Sequence, residues 1–137
     1  MKIDQKLVDA AIKLAKGLVP DGVSTGAAAI YTKEGDLLTS TFPYGNTVRE
    51  RLCYETGAIC EAHKLGHHVS ASVCVVRRTG KQDFVIFAPC GVCQERLFFW
   101  GSDVEVAVPD KDDPTKWVAK TLKEVQPYHW TEVLDRS

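Results

Sequence analysis

The apolar pattern of this chain switches period repeatedly, from helical to strand-like and back, with glycine or proline near most of the switches. That alternation constrains the fold strongly, because a sheet covered by helices buries both kinds of stripe. Leu7, Val8, Ala11, Ile12 and Ala15 share one helical stripe behind Asp4, a suitable N-cap; Leu14 widens it, and Gly17 and Pro20-Asp21-Gly22 end it. Gly26–Tyr31 and Leu37–Phe42 flank Lys33-Glu34-Gly35-Asp36 and read as a hairpin. After a polar loop, Pro43 to Glu50, a second helix is expected over Leu52–Leu65, stopped by Gly66.

Ala71–Arg78 and Asp83–Phe87 read as strands. Pro89-Cys90-Gly91 reads as a strand-to-helix corner, leading into a third helix over Val92–Trp100. Val104–Val108 is the next strand, and Trp117–Val125 has a helical look. The expected order is helix, two strands, helix, two strands, helix, strand, helix. That is an α/β chain with a mixed five-stranded sheet sandwiched by helices. Its 137 residues fit one domain, residues 1–137, with a core that needs no disulfides.

Lys and Arg number 17 against 18 Asp and Glu, so no global field draws the chain to nucleic acid or to anionic membranes. No run approaches the roughly 18 apolar residues of a membrane span. Charges at Asp4, Lys6, Asp9 and Lys13 interrupt any signal-peptide core. A cytoplasmic setting is therefore expected, where five cysteines point to metal binding or catalysis rather than to disulfides.

Cys90 and Cys93, three apart at the start of a helix, can point at one ion, and a helix N-terminus favours thiolate charge. Cys53-Tyr54-Glu55 opens the second expected helix. Residues two apart diverge by roughly 200° on a helix, but at its first turn both can face whatever lies beyond the end. Cys53 could then ligate while Glu55 overlooks an open fourth position, the layout of a catalytic zinc. A redox pair at Cys90 and Cys93, or a closed structural zinc with Cys60 or His63 as fourth ligand, are the competing readings. Cys60 is read as a partly buried thiol beside a surface histidine, Cys74 as core packing, and His67 and His68 as solvated.

Cys53-Tyr54-Glu55 with Pro89-Cys90-Gly91-Val92-Cys93 resembles the signature of the cytidine deaminase superfamily: His or Cys, any residue, Glu, then Pro-Cys-x-x-Cys. The chain looks most like its small blasticidin S deaminase-like members. Gly26-Ala27-Ala28 resembles the family's first strand, and Leu122 to Tyr128 its C-terminal segment with a site-closing aromatic. The resemblance implies a zinc-dependent aminohydrolase with Cys53, Cys90 and Cys93 on the metal and Glu55 shuttling protons between water, ring nitrogen and leaving ammonia. It implies a small amino-heterocycle as substrate, either a cytosine-type nucleoside or an antibiotic analogue, with a purine or pterin as the alternative. It also implies a homotetramer (or homodimer) whose neighbours complete each site.

Phe42, Tyr44, Ala88, Tyr128 and Trp130 are the substrate-contact candidates. Where cytidine deaminases grip ribose with Asn and Glu, the aligned residues here are Phe42 and Tyr44, which disfavours an ordinary ribonucleoside. Related three-cysteine enzymes carry arginines beside the ligands; here those positions are Thr56 and Gln94, leaving Arg51, Arg96 and the helix N-termini to offset thiolate charge. Phe98-Phe99-Trp100 is read as packing for the third helix or a subunit contact. A non-catalytic zinc scaffold is the reading from a different class; Glu55 argues against it.

Overall fold

A computed structural model describes residues 1–42 and 52–134. Helix α1, Gln5–Lys16, begins where Asp4 accepts a hydrogen bond from the Leu7 N–H at 2.9 Å. The hairpin forms as β1, Thr25–Thr32, and β2, Leu37–Ser40, pairing antiparallel. The other elements are α2 (Thr56–Leu65), β3 (Val69–Arg77), β4 (Val85–Phe87), α3 (Gly91–Leu97, then a 3-10 turn Phe98–Trp100), β5 (Glu105–Pro109), β6 (Trp117–Thr121), α4 (Leu122–Val125) and α5 (Trp130–Val133).

The sheet runs β2-β1-β3-β5-β6, with β4 on the far half of β3. It is mixed: β3 and β5 are parallel, and the other pairings are antiparallel. All five expected strands form within this mixed sheet, and β6, a stretch expected to be helical, makes a sixth.

Alternation along the strands sorts side chains into two layers. Ala27, Ala29, Tyr31, Ala71, Val73 and Val75 pack against α1 through Leu7, Val8, Ala11 and Ala15. Ile30, Val69 and Val106 face Ala58, Ile59 and Ala62 of α2 and Cys93 and Leu97 of α3. All eight residues of β1 are buried, as expected of a strand covered on both faces. Among the described residues, no helix is long and apolar enough to cross a membrane.

Three expectations are corrected. Trp117–Thr121 is a strand, not the start of a helix; only Leu122–Val125 is helical. Pairing with β5 over five residue pairs satisfies its backbone, Trp117 and Ala119 pack onto the α1 layer, and a Thr121–Glu124 capping box starts the helix afterwards. Helix α2 begins at Thr56 rather than Leu52, leaving Cys53 and Tyr54 non-helical and Glu55 as its N-cap. Of the histidines read as solvated, His68 is exposed, though paired with Glu34, whose carboxyl is lowered to about 2, chiefly by the His68 backbone N–H, whereas His67 is half-buried against Asp36. The loop Pro43 to Glu50, with Tyr44, and Arg51 lie outside the described residues.

Candidate metal centre and active site

Two short stretches of backbone outside the helical interiors meet at the end of the α2/α3 layer. The first is Cys53-Tyr54-Glu55, held by the hairpin: Ser40 Oγ donates to the Tyr54 carbonyl and Thr41 Oγ1 to the Gly26 carbonyl, each at 2.6 Å. The Thr56 N–H closes a turn on the Cys53 carbonyl at 3.1 Å. Because Cys53 precedes the helix, the 200° divergence of a helical i, i+2 pair does not apply. The second stretch is the corner after β4, where Cys90 is the N-cap of α3 in extended conformation and Cys93 lies in its first turn.

The Sγ atoms of Cys53, Cys90 and Cys93 lie within 4.8 Å of one another, with Cys53 and Cys90 at 3.0 Å. Tetrahedral zinc with Zn–S bonds of about 2.3 Å sets its sulfurs about 3.8 Å apart, a spacing reached by small thiol rotations. Among the described residues no fourth His, Cys or carboxylate joins the group. Cys60 is exposed, not partly buried, and His63 stacks on Trp100 with ring centroids 4.5 Å apart.

Burial pushes the Cys53 and Cys93 thiols up, Cys93 further under the charge of Glu55. Burial also raises Cys90, but a bond from the Cys53 thiol and the backbone N–H groups of Cys93 and Val92 more than offset it, so its value is lowered. Such thiols fit a dication, which displaces their protons and supplies the positive charge the pocket lacks.

Glu55 is 4% exposed, and the Cys93 thiol donates to its Oε2 at 3.5 Å. Burial raises its carboxyl above the ordinary value, opposed in part by hydrogen bonds and by Arg96. Arg96 Nη1 donates to Thr56 Oγ1 at 3.1 Å, which ties α3 to the first turn of α2 beside the carboxylate. A second neighbour is Cys74, whose thiol bonds Glu55. Reading Cys74 as plain core packing overlooked this. Strand alternation sets it on the face opposite Val73 and Val75, toward the thiol cluster, but knowing what lay there required the tertiary structure.

Gly26 also serves the site. A Cβ there would meet Tyr54 ring atoms at 2.6 Å, so the ring would have to shift. Gly26→Ala is therefore expected to push Tyr54 aside and drag Cys53 and Glu55 with it, lowering kcat/KM by about tenfold or more. Steady-state kinetics beside a zinc assay would check this; unchanged kinetics would remove Gly26 from the site's support.

The substrate-contact candidates separate. Phe42 meets Tyr54 edge to face at 6.4 Å, and the pair lines a cavity of about 220 Å³ with Thr25 and Thr41. Ala88 is exposed beside the Pro89-Cys90 corner. Tyr128 is 86% exposed. Trp130 lines a cavity of about 660 Å³ with Arg96, Phe99 and His63, on the outer side of α3. Neither cavity is lined by the three thiols. In the Phe98-Phe99-Trp100 run, Phe98 is buried and stacks on His129, while Phe99 is 72% exposed.

No protein-family model and no curated protein sequence matches the chain. Solved structures do. The chain is similar to a cytidine deaminase from Bacillus anthracis, with 42% identity over 94% of this chain and 90% of that one and a TM-score of 0.85. It shares its fold with the cytidine deaminases of Mycobacterium leprae (21% identity, 90% and 96% covered, TM-score 0.66) and Mycobacterium tuberculosis (23%, 91% and 95%, 0.65).

Proposed function

Since this chain belongs to the cytidine deaminase superfamily and is a zinc-dependent aminohydrolase, we propose that it hydrolyses the exocyclic amine of a free cytosine-type nucleoside or nucleoside analogue. Support comes above all from one observation: a buried carboxylate, Glu55, stands within 3.5 Å of one thiol of a three-thiol group that has no fourth ligand among the described residues. A purely structural site has no use for an acid at that place.

Cys53, Cys90 and Cys93 would hold the zinc, which when bound makes a water nucleophilic near neutral pH. Glu55 takes a proton from that water and passes it to the ring nitrogen. Once the water oxygen has bonded to the ring carbon, Glu55 takes the second proton from that hydroxyl and gives it to the amine, so that the carbon–nitrogen bond breaks, ammonia leaves and a carbonyl remains. Its burial suits the task, because an environment that raises a carboxyl brings it toward the pH at which it must both accept and give a proton. Among the described residues, Arg96 is the cation we assign to offset the thiolates, since it stands against Thr56 and already lowers Glu55 electrostatically.

Phe42 and Tyr44 stand at the sequence positions where the family grips a ribose, an aromatic wall that favours a modified or non-ribose compound over plain cytidine. Another amino-heterocycle, of purine or pterin type, is the second reading that this wall favours. Exposed Phe99, Tyr128 and Trp130 favour association into a homotetramer or homodimer. We place the enzyme in the cytoplasm, acting on small molecules rather than polynucleotides, given its near-neutral charge. The test is ammonia release by zinc-loaded protein from cytidine, aminoacyl-nucleoside antibiotics, aminopurines and aminopterins. Release from a cytosine-type compound is expected; release only from purines or pterins selects the second reading, and none at all leaves a zinc scaffold.

A further inference from the structure

The segment after α4 is poorly buried, with Tyr128 and Trp130 largely exposed, yet it is fastened to α3 at three points. Gln126 Nε2 donates to Gln94 Oε1 at 2.8 Å. His129 Nδ1 accepts from the Thr131 N–H at 3.3 Å, so Nε2 carries the proton and donates to Glu95 Oε2 at 2.6 Å. The His129 ring lies flat on Phe98, with centroids 3.7 Å apart and planes 8° from parallel.

The Gln94 bond goes further. Its Nε2 donates to the Pro89 carbonyl at 2.8 Å, while its backbone N–H donates to the Cys90 carbonyl, also at 2.8 Å. Pro89 has no N–H of its own, so its carbonyl is the one backbone polar group by which other residues can anchor it. Ala88 and Cys90 on either side of it are exposed, and α3 spans only seven residues. The corner bearing Cys90 is thus braced by Gln94 of its own short helix, and Gln94 is in turn held from outside that helix by Gln126.

We propose that residues 126–131 form a strap that positions the metal corner, with Gln94 and Gln126 as positioning residues that hold Cys90 in place through the Pro89 carbonyl. Gln126 fixes the Gln94 amide with its oxygen outward and its nitrogen toward Pro89. Without Gln126 the amide is free to rotate, and Cys90 gains freedom it must lose again when metal binds. Groups that orient metal ligands in this way are typically worth about 10- to 100-fold in metal affinity.

The inference rests on the three-cysteine site, and the experiment separates the two. Zinc dissociation constants are measured by competition with a chromophoric chelator for the natural sequence, Gln94→Ala, Gln126→Met and the double variant. Thermal unfolding of each apo form is recorded alongside. Gln126→Met keeps the side chain's volume on a half-exposed position and serves alone if Gln94→Ala does not fold. Gln94→Ala is expected to weaken zinc binding about tenfold and Gln126→Met severalfold. The double variant should be no weaker than Gln94→Ala, because Gln126 acts through Gln94. Apo unfolding midpoints should stay close to that of the natural sequence. Lys123→Ala, which removes a surface bond to Asp103 from the same part of the chain, should leave affinity unchanged. Unchanged affinity in Gln126→Met, or losses that multiply in the double variant, would overturn the strap alone. A natural sequence that binds no zinc would overturn the site and the strap together.

Discussion

Glu55→Gln is expected to bind zinc as the natural sequence does and to release ammonia about 10³-fold more slowly or worse, since the proposed mechanism gives one group several proton transfers. The substitution is nearly isosteric, and its environment tolerates a neutral side chain: Glu55 is 4% exposed and its burial already disfavours charge. A glutamine keeps an acceptor for the Cys93 thiol but can neither take nor return a proton. Zinc content and single-turnover ammonia release from a cytosine-type compound check the two halves separately. Near-normal turnover would dismiss Glu55 as the shuttle, and loss of zinc would make it a ligand.

Removing Cys93 should have the opposite signature. Cys93 is fully buried in the layer of α2 and α3, so Cys93→Ala takes away a proposed ligand and part of a core at once. The void costs on the order of 1–2 kcal/mol. Lost metal adds more, because a ligand present at 100 times its dissociation constant stabilises by about 2.7 kcal/mol. The natural sequence should therefore unfold at lower temperature once a chelator is added, whereas Cys93→Ala should unfold early and ignore the chelator. Cys74→Ala, which touches Glu55 but belongs to no thiol group, should still respond to chelation. If Cys93→Ala held zinc as before, the assignment of ligands would be wrong.

Local signals carried much of the fold. Helix α1 was legible to its N-cap because Asp4 and the stripe at Leu7, Val8, Ala11 and Ala15 are all local features. The hairpin was legible for the same reason. Residues 117–121 were not, since the charged loop before them carries no tight hairpin turn and their backbone is satisfied only by β5, 8 to 16 residues away, once the sheet exists.

The three thiols and the carboxylate that meet at the candidate site were named from two short motifs, a Pro-Cys-x-x-Cys corner and a Cys-x-Glu, each lying within a few adjacent residues. Only the tertiary structure decided which groups surround them. Cys74 on Glu55, Arg96 on Thr56, and Gln126 reaching Pro89 through Gln94 join residues 19 to 40 positions apart. Spacing along a chain constrains neighbours within a turn or a strand, whereas contacts across layers depend on strand register and helix packing, and those are settled when the whole core closes.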